Sequence, residues 1–188
     1  MKPIQWNNSG KDVDSIIKFY ESTKYAIELF HNPNGNKNFA SDFLYKTYIE
    51  IEQEKMKCLN ELSIEAGFVL LAYLEGVFRK DFMIRILRHK RKDQLSVYFL
   101  DTYKSERKLY QHPLEYIFKA WRNKGSGLSD KIREMLRSLQ QYYDYRNWVA
   151  HGRYWEFKES NYLRKYCFEA ILLMVNTVLC ELNGKLLK

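Results

Sequence analysis

Within Tyr142-Tyr143-Asp144-Tyr145-Arg146-Asn147-Trp148-Val149-Ala150-His151-Gly152-Arg153-Tyr154-Trp155, a guanidinium, an amide and an imidazole stand close together. A histidine takes up or releases a proton near neutral pH, its unperturbed pKa being about 6.5. An arginine offers two parallel donors to a phosphoryl or carboxyl group. The apolar stripe Ile132, Leu136, Leu139, Tyr143 continues by helical steps to Arg146, Asn147 and Ala150, so polar groups appear where an apolar residue is the default. Asn147 and His151 lie one turn apart on one face, and the long Arg146 side chain can bring its charge round to them. The three are therefore expected in one inward arc near a helix end that Gly152 terminates. Polar groups in such a place must be paired or must face something else. Taken singly, each has a plainer reading. His151 can be a hydrogen-bonded structural histidine, Arg146 an ion pair with Asp144 or Glu156, and the aromatics core.

The elements that carry this segment are helical nearly throughout. Ile16, Tyr20, Thr23, Ile27 and Phe30 predict a first helix, stopped by the turn formers His31-Asn32-Pro33-Asn34-Gly35-Asn36,. A second helix is expected from about Ser41 towards Cys58, and a central one, apolar almost all round, over Ile64–Phe82. Ser96–Leu100 has strand-like composition but no partner strand, so 94–109 is read as helix or irregular insertion. Pro113 suits the first turn of a helix reaching Trp121. Ser129 is an expected N-cap, and a last helix is expected from about 162 to 183, ended by Gly184. The fold expected is an all-α antiparallel helical bundle of about five to seven helices in a single domain, 1–188, with an insertion around 84–112.

Composition agrees with a packed, soluble chain. The 188 residues are 46% hydrophobic and 16% aromatic, which excludes disordered and collagenous classes. No apolar run approaches the roughly 20 residues that span a bilayer, and the first residues do not read as a signal peptide. Cys58, Cys167 and Cys180 have neither disulfide-framework nor zinc-ligand spacing, so a cytoplasmic setting without metal or cofactor is expected. The net charge is +8, and it is concentrated between Arg79 and Lys92 (Arg79, Lys80, Arg85, Arg88, Lys90, Arg91, Lys92), which reads either as a solvated helix end or as a phosphate-tracking patch. His31, His89 and His112 are expected at turns or on the surface. No Gly-rich phosphate loop, HExxH or Gly-x-Ser-x-Gly motif is present.

Arg146-Asn147-x-x-Ala150-His151-Gly152 resembles the Arg-x4-His signature of the HEPN superfamily, in the RN..AHG form of its prokaryotic members. The helix order resembles it too, with the motif late in the chain and a final helix behind it. The resemblance implies a helical bundle that pairs as a homodimer and a metal-independent endoribonuclease, of the toxin–antitoxin or phage-defence type. Arg146 and His151 would be the catalytic pair, assisted by Asn147, with RNA contacts from Arg153, Tyr154, Arg88, Lys90, Arg91 and Lys92. The ribose 2′-OH would attack the adjacent phosphorus, leaving a 2′,3′-cyclic phosphate and a 5′-OH, and DNA would not be cut. A branch of the superfamily carries a regulatory tyrosine as Arg-x4-His-x-Tyr. Here Tyr154 stands one residue further on, so that form of control is not implied, while a different antitoxin or defence-system partner stays open. Two alternatives remain: a HEPN-like module that binds nucleotide or RNA without cutting, and a helical interaction protein whose Arg146 and His151 are structural.

Overall fold

The structure, a computed structural model, describes residues 12–87, 93–106, 114–154, 156–158 and 162–187. Among these residues there are eight helices and no strand: α1 Val13–Phe30, α2 Phe39–Asp42, α3 Tyr48–Leu87, α4 Gln94–Glu106, α5 Leu114–Lys124, α6 Asp130–Ala150, α7 Tyr162–Lys165 and α8 Phe168–Glu181. Two of them, α2 and α7, are four residues long, so the expected all-α bundle is present with six substantial helices. One hydrophobic cluster runs from Ile16 to Leu182 and takes side chains from all six.

The axis of the bundle is α3. Its 40 residues extend about 60 Å at 1.5 Å per residue. Thr47 and Glu50 start it with a reciprocal capping box. The Glu50 N–H donates to Thr47 Oγ1 at 3.3 Å, and the Thr47 N–H donates to Glu50 Oε2 at 2.7 Å,. The sequence suggests two helices here, divided between Cys58 and Ile64. The structure corrects this to one, because the polar residues in the gap are used sideways. Ser63 Oγ accepts the Phe168 N–H at 2.8 Å, capping α8 from across the bundle, and Glu61 holds Arg153.

Helix directions follow from these contacts. Tyr143 Oη donates to Leu71 O at 2.9 Å and Arg153 meets Glu61, so α6 runs antiparallel to α3. The chain then turns and α8 starts level with Ser63, which makes α8 antiparallel to α6 and parallel to α3. Where α8 crosses α3, a Cβ on Gly67 would come within 2.6 Å of Ile171 Cδ1. The glycine is there for close approach.

Two further readings are settled. Of the two readings for 94–109, helix or irregular insertion, the helix is the one found: α4 lies there, its Leu95 and Phe99 are buried and its Phe99 meets Phe82 edge-on at 4.8 Å, so it is part of the core. The last helix is not continuous from 162. It breaks at Tyr166 and Cys167, where Cys167 is extended (φ −66°, ψ 159°). Tyr166 stacks on Tyr145 at 4.5 Å, and seating that ring turns the backbone out of helix. Ser129 caps α6 as expected, its Oγ accepting from the Ile132 N–H at 3.3 Å. Gly184 has φ +75° just beyond α8.

The C-terminal half of α3 is fixed by a buried charge cluster. Asp81 has no exposed surface. It accepts Arg85 Nε at 2.8 and 3.0 Å, Trp121 Nε1 at 3.1 Å and the Leu187 N–H at 2.8 Å. Arg85 also donates to Asp93 Oδ1 at 2.9 Å, Ser96 Oγ at 3.1 Å and Lys185 O at 2.7 Å. Burial pushes the Asp81 carboxyl up from the usual carboxylate range, and the Arg85 guanidinium, the Leu187 amide and the Trp121 indole pull it back,. Asp81→Ala leaves a buried guanidinium short of its main counter-charge and should cost about 3–5 kcal/mol, whereas Trp121→Phe, which loses a hydrogen bond and part of a fully buried ring, should cost about 2–4 kcal/mol. The double variant Asp81→Leu/Arg85→Met should lose less than Asp81→Ala alone. Urea unfolding of the three proteins measures these differences.

Candidate functional site

The motif occupies the last turn and a half of α6. The buried surface of the helix changes sides there. Tyr143 faces α3 and α5, packing on Phe118 at 5.2 Å. Tyr145, about 200° further round, joins Trp148 in an aromatic cluster with Phe157 and Tyr166. Both are buried. The strip left between these faces carries Arg146, half-buried, with Asn147, Ala150 and His151 exposed. The expected inward arc is therefore corrected to an outward one, and the plain core reading holds for Tyr143, Tyr145 and Trp148.

Arg146 is held on three sides. Its guanidinium lies 5.2 Å from the centre of the Phe68 ring, Nη2 is 3.3 Å from Glu75 Oε2, and Nη1 donates to Asn147 Oδ1 at 3.2 Å. Nε is buried and, among the described residues, makes no hydrogen bond. Its partner is thus Glu75 on α3, not Asp144 or Glu156. Glu75 also accepts Arg79 Nε at 2.7 Å, so one carboxylate bridges two guanidiniums. The same three charges surround the buried Tyr143 hydroxyl. Burial, with Glu75, raises it well above the usual phenol range, and Arg146 and Arg79 oppose the rise. Sequence reading missed Glu75 because its spacing to Arg79 is that of an ordinary surface pair.

His151 is the C-cap of α6, its N–H donating to Asn147 O at 3.0 Å. The helix ends in a Schellman turn. The Arg153 N–H donates to Trp148 O at 3.1 Å and the Gly152 N–H to Val149 O at 3.0 Å,. Such a turn requires a left-handed residue, which is Gly152 at φ +74°; Arg153 follows at φ +58°. The Tyr154 ring folds back over Gly152, within 3.2 Å of where a Cβ would sit, and is otherwise 90% exposed.

The remaining candidates divide. The Arg153 guanidinium clasps Glu61 with two hydrogen bonds of 3.0 and 2.7 Å, so the expected phosphate ligand already holds a carboxylate. Arg88, Lys90, Arg91 and Lys92 lie outside the described residues. Of the same basic run, Arg79 is paired with Glu75 and Arg85 is buried against Asp81, which removes both from any free cationic stripe. His31 is at a turn as expected, but buried rather than on the surface: Nδ1 lies 2.8 Å from Ile27 O, and the ring packs against Phe30 and Phe43. His89 and His112 also lie outside the described residues. No group of side chains suited to a metal ion occurs among the described residues, and no described helix is long and apolar enough to cross a membrane.

No known protein family, curated protein or solved structure matches this chain.

Two outcomes follow from the turn. Gly152→Ala places a Cβ in a left-handed conformation against the Tyr154 ring and should lower stability by about 1–2 kcal/mol, read as a lowered thermal midpoint. The Arg153 hydrogen bonds hold the Glu61 carboxyl below its ordinary 4.5, against burial. A lowered carboxylate stabilises the fold above the unfolded value and ceases to as pH falls through the folded one. The thermal midpoint of wild type should therefore exceed that of Glu61→Gln near neutral pH, and the gap should close as pH falls below 4.5.

Proposed function

We propose that this chain is a metal-independent endoribonuclease of HEPN type, working as a homodimer. The observation that carries the reading is the outward strip at the end of α6, where Arg146, Asn147 and His151 adjoin one another with the guanidinium fixed by Phe68, Glu75 and Asn147. A fixed guanidinium loses little freedom when it grips a phosphate.

The reaction has definite requirements. The 2′ oxygen forms a bond to phosphorus as the bond to the 5′ oxygen breaks. A base takes the 2′ proton, an acid protonates the departing 5′ oxygen, and a cation spreads the charge on the phosphoryl oxygens. His151 from each of two copies supplies the base and the acid, Arg146 the cation, and Asn147 orients the group it touches. The strip is open, so a second copy placed against it would supply the opposite wall. RNA is the substrate in this reading. A cytoplasmic toxin or phage-defence role, with a partner protein that restrains it, belongs to the same proposal.

A second reading is favoured by the carboxylates already on both guanidiniums. Glu75 on Arg146 and Glu61 on Arg153 are what a structural, non-cutting module would also have. Incubation with a labelled RNA pool in EDTA separates the two. Wild type should cut and leave 2′,3′-cyclic phosphates, and His151→Ala should be slower by about 10²–10⁴-fold at an unchanged thermal midpoint. Equal cutting by both proteins, or none by either, rejects the nuclease.

A further inference from the structure

On the far side of Asn147 from Arg146 the surface is not flat. A cavity of about 420 Å³ opens there, walled by α6 and by the chain that follows it. Its lining includes Asp144, Asn147 and Trp148 from α6, Glu156, Phe157 and Lys158 from the connection, and Tyr166. The deep part is aromatic. Trp148 and Tyr166 are buried, Phe157 is half-buried, and Phe157 lies 5.2 Å from Trp148 and 5.9 Å from Tyr166, centre to centre. The polar groups Asp144, Asn147, Glu156 and Lys158 are exposed around it. One Asp144 oxygen accepts Gln140 Nε2 at 3.0 Å, which leaves the carboxylate further acceptor capacity.

This lining is chemically selective. Phe157, the half-buried ring of the three, offers contact to the apolar body of any nucleobase, backed by the buried Trp148 and Tyr166,. Carboxylates accept from N–H groups, and an ammonium donates to a carbonyl. Guanine is the base whose pairing edge offers two adjacent N–H donors beside a carbonyl oxygen. Uracil has one N–H between two carbonyls and no amino group, so two carboxylates would face oxygen atoms and repel them. Asn147 connects this cavity to the motif, since its amide lines the cavity and its Oδ1 accepts from Arg146 Nη1.

We propose that the cavity bounded by Asp144, Asn147, Trp148, Glu156, Phe157 and Lys158 is a nucleobase subsite selective for guanine, seating the base next to the phosphate held at Arg146. Its place next to the scissile bond rests on the nuclease reading; guanine binding itself does not. The carboxylates accept the guanine N1–H and amino group, Lys158 donates to O6, and Phe157 packs against the ring.

The test has two parts. The 188-residue protein is titrated with guanosine, adenosine, cytidine and uridine 3′-monophosphates while the indole N–H of Trp148 is followed by NMR, its resonance identified by its loss in Trp148→Phe. The guanosine nucleotide should shift that resonance and saturate, and the uridine nucleotide should not. Asp144→Asn/Glu156→Gln should weaken guanosine binding by about ten- to a hundredfold at an unchanged thermal midpoint. Equal response to all four nucleotides, no response at Trp148, or guanosine binding that survives loss of both carboxylates overturns the subsite. Cut sites in the EDTA assay are then mapped. Wild-type cuts should be enriched beside guanine, and the double variant should cut without that enrichment. Guanine binding without any cutting rejects the nuclease reading and keeps the subsite, whereas cutting with no base bias rejects the subsite's role and keeps the nuclease.

Discussion

A carboxylate with no contact to solvent, Asp81, and the guanidinium one turn along from it, Arg85, tie three separate stretches of chain to one point in α3. Two charges taken out of water cost several kcal/mol each unless every donor and acceptor finds a partner. Here the carboxylate gathers Trp121 from α5 and the Leu187 amide from beyond α8, while the guanidinium gathers Asp93 and Ser96 at the start of α4 and the Lys185 carbonyl. Only one arrangement of α3, α4, α5 and the C-terminal residues satisfies all of them together. The Arg85 guanidinium also lies 5.0 Å from the centre of the Trp121 ring, so its face as well as its donors is used. Apolar packing would tolerate some sliding of α5 along α3; this cluster does not.

The other polar contacts of α3 range from dry to wet without following its length. The Leu71 carbonyl takes the buried Tyr143 hydroxyl, Glu75 takes Arg146 and Arg79 at partial exposure, and Glu61 takes Arg153 in solvent. Their energetic weights fall in the same order, because water screens and competes with exposed pairs. Within the proposed reading, this difference matters. The Arg85 guanidinium cannot be drawn away by a ligand, since nothing outside could replace five hydrogen bonds at once. Arg146 and Arg153 can exchange a carboxylate oxygen for a phosphate oxygen at small cost.

Helix content and the positions of α1, α5 and α6 were legible in the sequence, because the 3.6-residue apolar period and the caps at Ser129 and Gly152 are local signals. What was not legible is long-range. Ser63 reads as an interruption until Phe168 is placed beside it, 105 residues away, and Glu61 reads as surface until Arg153 arrives from 92 residues away. Tyr166 fits the period of the last helix and yet breaks it, since its ring is claimed by Tyr145. Arg85 looks like one more cation in a basic run, although Asp81 four residues earlier carries the contrary sign. The motif was found by residue type alone; its orientation was not, because a single apolar stripe was extended through a helix that buries two sides in succession.

That double burial explains the strip itself. With Tyr143 committed to α3 and α5, and Tyr145 and Trp148 committed to Phe157 and Tyr166, the end of α6 has only a narrow arc to show to solvent. Arg146, Asn147, Ala150 and His151 fill it. Such an arc can hold a charged group steady, as Phe68 and Glu75 hold Arg146, but a convex helix end cannot surround a reacting phosphate or exclude water from it. Within the proposed reading, the second wall comes from outside the chain, and a second copy related by a two-fold axis brings an identical arc with the same residues in reverse order. The aromatic side of α6 then has its own part: the rings that push Arg146 and His151 outward are the same rings that floor the cavity behind Asn147.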